Sequence, residues 1–323
     1  MPPTNVRHNY NDYFGWCGQG KEVEALEQEL LRFSLDDACA VVSSGSAALY
    51  LASRALALNS LGRPITIPTY ACVSLYSALR LRGIHGAVQL LDSDPYTFGA
   101  DGVISVDVYG VPSKSRSPAA LISDITHSIG GTDDGEPCGS WAEVAVASFG
   151  ATKMLGAGQG GCILGPRNLI DYIKSIRDYD GNPDGFNFQL SDVMAKMVRK
   201  RLRGLDQDNA QRQRTASRYL TAIDGRFKVH GAEIPGRTWY RFVLQFDSMI
   251  QRDAAQRHFT ECGIETIVPI RTDELIHRKL GLSPDGFPNA EKIAQTTLSL
   301  PIWPRMVEED VRQVELALKL LKV

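Results

Sequence analysis

The chain has 323 residues, a formal net charge of −2 and 43% hydrophobic residues. That length buries a large core, as one domain or as a larger and a smaller one. The near-neutral charge argues against nucleic acid or an acidic membrane surface as the main partner, and no apolar run approaches the ~18 residues of a membrane span.

The N-terminus, Met1-Pro-Pro-Thr-Asn-Val-Arg-His8, has no apolar segment, so no signal peptide is expected. Residues 1 to 20 are polar and aromatic without a period and are expected to wrap over a surface. Val23, Leu26, Leu30 and Phe33 predict a helix over 21–33. Ala38–Val42 reads as a short buried strand, followed by Ser43-Ser-Gly-Ser46 and a helix of strong helix formers to Leu56. A strand, a Ser/Gly turn and a helix form a general anion site, because free amides and the helix dipole favour a phosphate. The same pattern also fits an ordinary helix capped by Ser43 or Ser44. It is neither a Walker loop nor a G-x-G-x-x-G fingerprint.

Strands are expected at 64–68, 87–91, 103–109 and from 119 to Asp124, with a helix over 73–82. His127 follows Asp124 by three residues. Strands alternating with helices predict a doubly wound, mostly parallel α/β sheet, whose ligands sit beyond the carboxyl ends of the strands. Ser44, Asp124, Ser148 and Lys153 all fall at or just past such ends. Only Gly110 to Pro118 separates two expected strands, fewer residues than a parallel crossover needs. Either that crossover is trimmed to a loop or the two strands are not parallel neighbours.

The apolar run Val144-Ala-Val-Ala147 predicts a strand ending at Ser148, with a single lysine, Lys153, five residues on. Glycines at 156, 158, 160 and 161 let the backbone turn tightly and pass close to something flat. A lysine in such a setting can be a usable amine nucleophile toward a carbonyl, which is the chemistry of a Schiff base to pyridoxal phosphate. A lone loop lysine would be read as a surface group; the sharper reading rests on the rest of the chain.

Helices are expected at 167–177, over the basic run Lys196–Arg203, and from Asn209 to Ile223, with a domain boundary near Gly204. The basic run reads first as a solvated helix face and second as the rim of an anionic-substrate site. The remainder predicts a smaller α/β unit: strands at 238–247 and 264–267, helices at 252–262 and 290–297, an extended 298–302, and a closing helix over 307–321. The division expected is thus 1–205, a large domain with an N-terminal arm, and 206–323, a small one. Cys17, Cys39, Cys72, Cys138, Cys162 and Cys262 are scattered, without C-x-x-C spacing or local histidine pairing. Neither a metal site nor a disulfide framework is indicated, and reduced thiols in a cytoplasmic enzyme fit best. His8, His85, His230, His258 and His277 read as surface or outer-layer residues. Arg177, Arg237, Arg241 and Arg271 could each hold a substrate phosphate or carboxylate, although surface ion pairs suit each of them better.

Five stretches, in order, carry a resemblance: Val41-Val-Ser-Ser-Gly-Ser-Ala-Ala-Leu49; Ser123-Asp-Ile-Thr-His-Ser128; the lysine stretch from Ala147 to Gly161; Gly185-Phe-Asn-Phe-Gln-Leu-Ser-Asp192; and the leucine–proline stretch from Phe287 to Val311. From about Gly20 to the C-terminus the chain resembles the pyridoxal-phosphate-dependent sugar aminotransferases of the DegT/StrS type, which have the aspartate-aminotransferase fold, fold type I. The resemblance implies that Lys153 is the Schiff-base lysine and Asp124 the carboxylate paired with the pyridine nitrogen. It implies that His127 lies beside the phenolic oxygen of the ring. Ser44, Gly45, Ser46 and Ser148 fall in the phosphate cradle, and Asn187 reaches the phosphate of a neighbouring subunit in a homodimer with shared sites. Cys72 stands where the family carries an aromatic residue stacked on the ring, with Tyr70 and Tyr76 as nearby substitutes. Gln189 stands where many relatives have a basic residue, and Ile267-Val-Pro-Ile270 replaces a common His-Tyr pair.

The activity so implied is transfer of an amino group from an amino-acid donor, glutamate or glutamine, to a keto sugar, nucleotide-linked, or a cyclitol ketone, in the cytoplasm. A second reading keeps the cofactor but performs elimination, dehydration or carbon–carbon bond chemistry on an amino-acid-like substrate. Lys153 counts against the sugar dehydratases of the family, in which histidine replaces that lysine. A third reading is a non-catalytic binder that kept the fold.

Overall fold

The computed structural model describes residues 20–92, 103–113, 121–178 and 182–323. The expected wrap of the N-terminal arm, with His8 and Cys17, lies outside these residues. The first strands in chain order are β1 (Ala38–Val42), β2 (Ile65–Pro68), β3 (Val88–Leu91), β4 (Ile104–Val106) and β5 (Ile122–Asp124). A two-stranded ribbon follows, β6 (Thr132–Asp133) and β7 (Glu136–Pro137), and then β8 (Val144–Ser148) and β9 (Gly161–Gly165). The helices of this half are α1 (Lys21–Leu30), α2 (Gly45–Ala55), α3 (Ser74–Leu81), α4 (Arg167–Arg177) and α5 (Asp192–Leu202).

The central sheet has the order β1-β9-β8-β5-β4. β4, β5 and β8 are parallel neighbours, and β9 runs antiparallel to both β8 and β1. The parallel pair β2–β3 lies alongside, held to the start of β4 by the Val103 amide, which donates to the Thr66 carbonyl at 3.1 Å. Strand periodicity sorts the side chains onto two covered faces. Ala38, Ala40, Val42, Val146 and Ile163 pack with α2 and α4 on one face. Cys39, Val41, Ala147, Cys162 and Leu164 pack with α1 and α5 on the other. The fold class is therefore the expected three-layer α/β arrangement.

The crossover question resolves in favour of parallel neighbours. β4 ends at Val106, because the chain turns at Tyr109 (φ 63°) and Gly110 (φ 82°), and β5 begins only at Ile122. Residues 107–121 therefore make the connection, enough for a parallel crossover. The strands are simply shorter than their apolar runs suggested.

Around the chain's later half, α6 (Leu205–Ile223), β10 (Lys228–Val229), β11 (Phe242–Gln245) and α7 (Met249–Glu261) are followed by α8 (Ile276–Lys279), α9 (Pro288–Thr296), β12 (Thr297–Leu300) and α10 (Glu308–Leu320). The antiparallel sheet β10-β11-β12 buries Phe242, Leu244, Leu298 and Leu300 against Tyr219, Phe259 and Val314 of the helices. The strand expected at 264–267 reduces to one bridge, Ile267 to Ser299. The basic run is not merely a solvated face. Arg199 of α5 binds Glu22 and Glu29 of α1 at 2.6 and 2.5 Å, clamping the two helices that cover the sheet.

Candidate active site

The loops at the carboxyl ends of β1, β5 and β8 meet at one cavity of about 250 Å³, whose walls include Ser44, Gly45, Ser46, Cys72, Asp124, His127, Ser148 and Lys153. Each side chain is set there by a local device. Ser44 caps α2, its Oγ accepting the Ala47 amide at 3.1 Å. The intrahelical pattern leaves the earlier amides, of Gly45 and Ser46, without helical partners at the positive end of the helix dipole. Asp124 closes an Asx turn, its Oδ1 accepting the Thr126 amide at 3.0 Å. The Thr126 hydroxyl in turn accepts the Ser148 amide at 3.0 Å, so one threonine ties the ends of β5 and β8 together. Ser148 Oγ accepts the Gly150 amide at 3.2 Å and opens the turn that carries Lys153.

Lys153 Nζ lies 3.1 Å from His127 Nε2. The His127 ring is stacked on Tyr240 at 4.0 Å and 12°, and its carbonyl accepts the Thr238 hydroxyl at 2.6 Å. Burial, then the positive charges of Lys153 and Arg241, push the imidazole well below its ordinary pKa, so it is neutral at pH 7. Burial raises the Asp124 carboxyl above the usual carboxylate range, against the hydrogen bonds from Thr126 and the charge of Lys153. Behind it, burial pushes the Asp107 carboxyl up to about 6, and that carboxyl accepts from Ser128 Oγ and the Ser113 amide.

Two glycines of the lysine stretch, Gly156 and Gly161, sit where an added Cβ would meet backbone. A Cβ on Gly161 would sit 2.7 Å from the Ser44 carbonyl carbon and oxygen and 2.8 Å from the Ala147 oxygen. Backbone presses from both sides there, so Gly161→Ala is expected to cost about 1–3 kcal/mol. A urea midpoint shift at unchanged slope would report it; an unchanged midpoint would mean the backbone at Ser44 and Ala147 can shift apart.

Asn187 does not line the cavity of its own chain. It is exposed, between Phe186 and Phe188, whose rings pack on Tyr50 at 6.0 and 5.5 Å. Cys72 is in the wall, and its thiol is free. Neither nearby tyrosine takes its place: Tyr70 is fully buried with its hydroxyl on that of Tyr109, and Tyr76 is not among the lining residues. His230 and His277 are buried rather than superficial. His277 joins Thr69 Oγ1 at 2.8 Å to Glu291 at 2.9 Å. Of the four arginines singled out, Arg177 is buried on Glu27, Arg237 is buried over the Trp239 ring, and Arg271 pairs on the surface with Asp273. Arg241, alone of the four, lines a neighbouring cavity that shares Cys72, His127 and Lys153 with this one.

Sequence reasoning missed Thr126, Thr238 and Tyr240. Thr126 was findable, since Asp-x-Thr after a strand is an Asx-turn signal. Thr238 and Tyr240 left no local sign, because only the packing of the later half brings them beneath His127. Among the described residues there is no group of three or more His, Cys, Asp or Glu able to hold a metal ion, and no helix long and apolar enough to cross a membrane.

The cavity suits pyridoxal phosphate. It pairs one amine with a half-buried carboxyl group, a Cβ on Gly45 would crowd Ser148 at 2.7 Å, and the buried Nδ1 of His127 has no hydrogen-bond partner among the described residues. The fold and this donor set define a pyridoxal-phosphate-dependent aminotransferase. Residues 10–319 match the model of the DegT/DnrJ/EryC1/StrS aminotransferase family, and the chain belongs to that family. It is 29% identical to the erythromycin biosynthesis sensory transduction protein EryC1 of Saccharopolyspora erythraea, over 94% of this chain and 91% of that one. It is 26% identical to the dTDP-3-amino-3,4,6-trideoxy-alpha-D-glucose transaminase of Streptomyces venezuelae, over 89% and 83%. Its fold matches that of a family aminotransferase from Brucella abortus with a TM-score of 0.82 at 22% identity, covering 94% and 91% of the two chains. S. venezuelae DesV superposes equally well, at 0.82 and 24% identity, over 95% and 90%.

Proposed function

We propose that this enzyme moves an amino group from an amino-acid donor, glutamate or glutamine, to the ketone of a nucleotide-linked sugar or a cyclitol, using Lys153, Asp124 and His127. The observation that carries the reading is the 3.1 Å approach of Lys153 Nζ to His127 Nε2 in a cavity shared with Asp124. Pyridoxal phosphate, when bound, supplies the electron sink that lets a proton leave the carbon next to the transferred nitrogen. Lys153 is the group that takes that proton and returns it. His127, neutral and held by Tyr240 and Thr238, keeps Nε2 as the hydrogen-bond partner of Nζ. Asp124, in a site walled by Val106 and Val146, would as a carboxylate keep the ring nitrogen protonated, the state in which the ring acts as an electron sink. The amides of Gly45 and Ser46 and the Ser148 turn cradle the phosphate.

Three parts of this reading concern the whole molecule. The active unit is a homodimer in which exposed Asn187 reaches the neighbouring site. The chain divides near 205/206, a reading supported by the separate apolar cluster under β10-β11-β12, although Val243, Leu275 and Ile276 also pack into the first core. A cytoplasmic location is supported by the free thiols of Cys39, Cys72, Cys138, Cys162 and Cys262.

The test is spectroscopic. Protein loaded with pyridoxal phosphate should absorb as a lysine-bound cofactor and lose that band on addition of glutamate or glutamine. Asp124→Asn should retain the band but slow its loss by about 10²-fold. A band that is indifferent to every amino donor, or release of a keto acid and ammonia without transfer, would replace this reading with binding or elimination. Sedimentation of the loaded protein as a monomer would remove the role of Asn187.

A further inference from the structure

A second cavity of about 400 Å³ opens beside the first and shares Cys72, His127, Lys153 and Ile270 with it. Its far wall adds Tyr240, Arg241, Glu274 and Lys279. A substrate whose ketone or amine meets Lys153 therefore has to extend its remaining atoms into a space faced by Arg241.

Arg241 differs from every other arginine near the site. Its backbone is pinned: the amide donates to the Tyr109 carbonyl at 3.2 Å, and its carbonyl accepts Arg237 Nη2 at 3.1 Å. Its guanidinium, by contrast, meets no carboxylate among the described residues and stands 5.3 Å from the centre of the Tyr240 ring. Lys153 Nζ stands 5.9 Å from the centre of the same ring. Both cations thus lie against one aromatic ring, in the wall of one cavity. Glu274, the acid in the same wall, is already engaged, accepting the Arg271 amide at 2.8 Å and lying 3.7 Å from its guanidinium. Holding an unpaired arginine on a fixed backbone in a half-buried cavity is unfavourable unless an anion completes it.

We infer that Arg241 anchors an anionic group of the substrate, a carboxylate or a phosphate, in the cavity beside Lys153. This rests on the function proposed above, since it takes Lys153 as the reacting amine. The planar fork of arginine binds either group through two parallel hydrogen bonds, which a point-charge ammonium does not reproduce. The donor amino acid carries such a group as its carboxylate, and a nucleotide-linked acceptor carries one as its phosphates.

The experiment compares loaded wild type with Arg241→Gln and Arg241→Lys. Maleate, a non-reacting dicarboxylate, and inorganic phosphate are titrated into each and followed by the cofactor absorbance. The amount of glutamate giving half-maximal loss of the band is then measured. The glutamine variant is expected to weaken maleate or phosphate roughly 10- to 100-fold, with lysine restoring only part and the resting band unchanged. A rise confined to glutamate and maleate identifies the donor carboxylate. A rise confined to phosphate and to phosphate-bearing acceptors identifies the acceptor. Unchanged binding of all of these in both variants, with the resting band present, overturns the role of Arg241 and leaves the proposed function standing. A wild type with no resting band overturns both.

Discussion

Lys153→Gln is expected to reduce amino transfer by about 10⁴-fold and to abolish the absorbance of lysine-bound cofactor. Glutamine keeps much of the side-chain volume and a hydrogen bond to His127 Nε2, so the cavity should persist. What is lost is the one amine that, among the described residues, lines the cavity with both Asp124 and His127. Because Lys153 is partly exposed and belongs to a loop, the fold should be indifferent, and the thermal midpoint should stay within a degree or two of wild type. Cofactor itself should still bind, through the amides of Gly45 and Ser46 and through Asp124, and equilibrium dialysis would measure it. A variant that keeps a tenth of its activity would show that another group shuttles the proton.

Glu27→Ala is expected to cost about 3–5 kcal/mol, although Glu27 is far from the proposed chemistry. Glu27 of α1 accepts from Arg177 Nη1 at 2.8 Å, from Lys174 Nζ at 2.5 Å and from the Val41 amide at 3.0 Å. Arg177, 1% exposed, also donates to the Val41 carbonyl at 2.8 Å. β1 is an edge strand, so the outward amide and carbonyl of Val41 have no strand to pair with. The acid on α1 and the arginine on α4 take the place of that strand. Without Glu27 a guanidinium remains buried with only Asp178, 3.7 Å away, for a counter-charge. Urea and thermal unfolding would measure the loss, and Arg177→Leu in the same chain should recover part of it. A single-variant loss below about 1 kcal/mol would mean that water reaches this edge.

The strands were legible wherever a run of small and branched residues ended at a hydroxyl or acid, as at Val42–Ser43, Ile122–Asp124 and Val144–Ser148. Such runs are buried on both faces and need no alternation to be recognised. Ser44, Asp124, Ser148 and Lys153 were legible for a related reason, since the carboxyl ends of parallel strands are where loops converge. The direction of β9 was not. It returns antiparallel through 149–160, and nothing in Gly161–Gly165 distinguishes the two directions. The strand at 104–106 was overestimated at its end because Tyr109 adopts a left-handed conformation that its residue type does not announce.

By itself the sequence singled out one lysine, one aspartate, one histidine and a Ser-Gly-Ser turn, each close along the chain to a strand end, and these line one cavity. It equally determined the layered α/β class, because apolar periodicity is a local property of the chain. Only the tertiary structure decided which arginine of the four shares a cavity with Lys153, what holds His127 in place, and how the edge at Val41 is closed. Those choices depend on residues from the later half meeting the earlier one, and long-range packing writes no pattern into either partner alone.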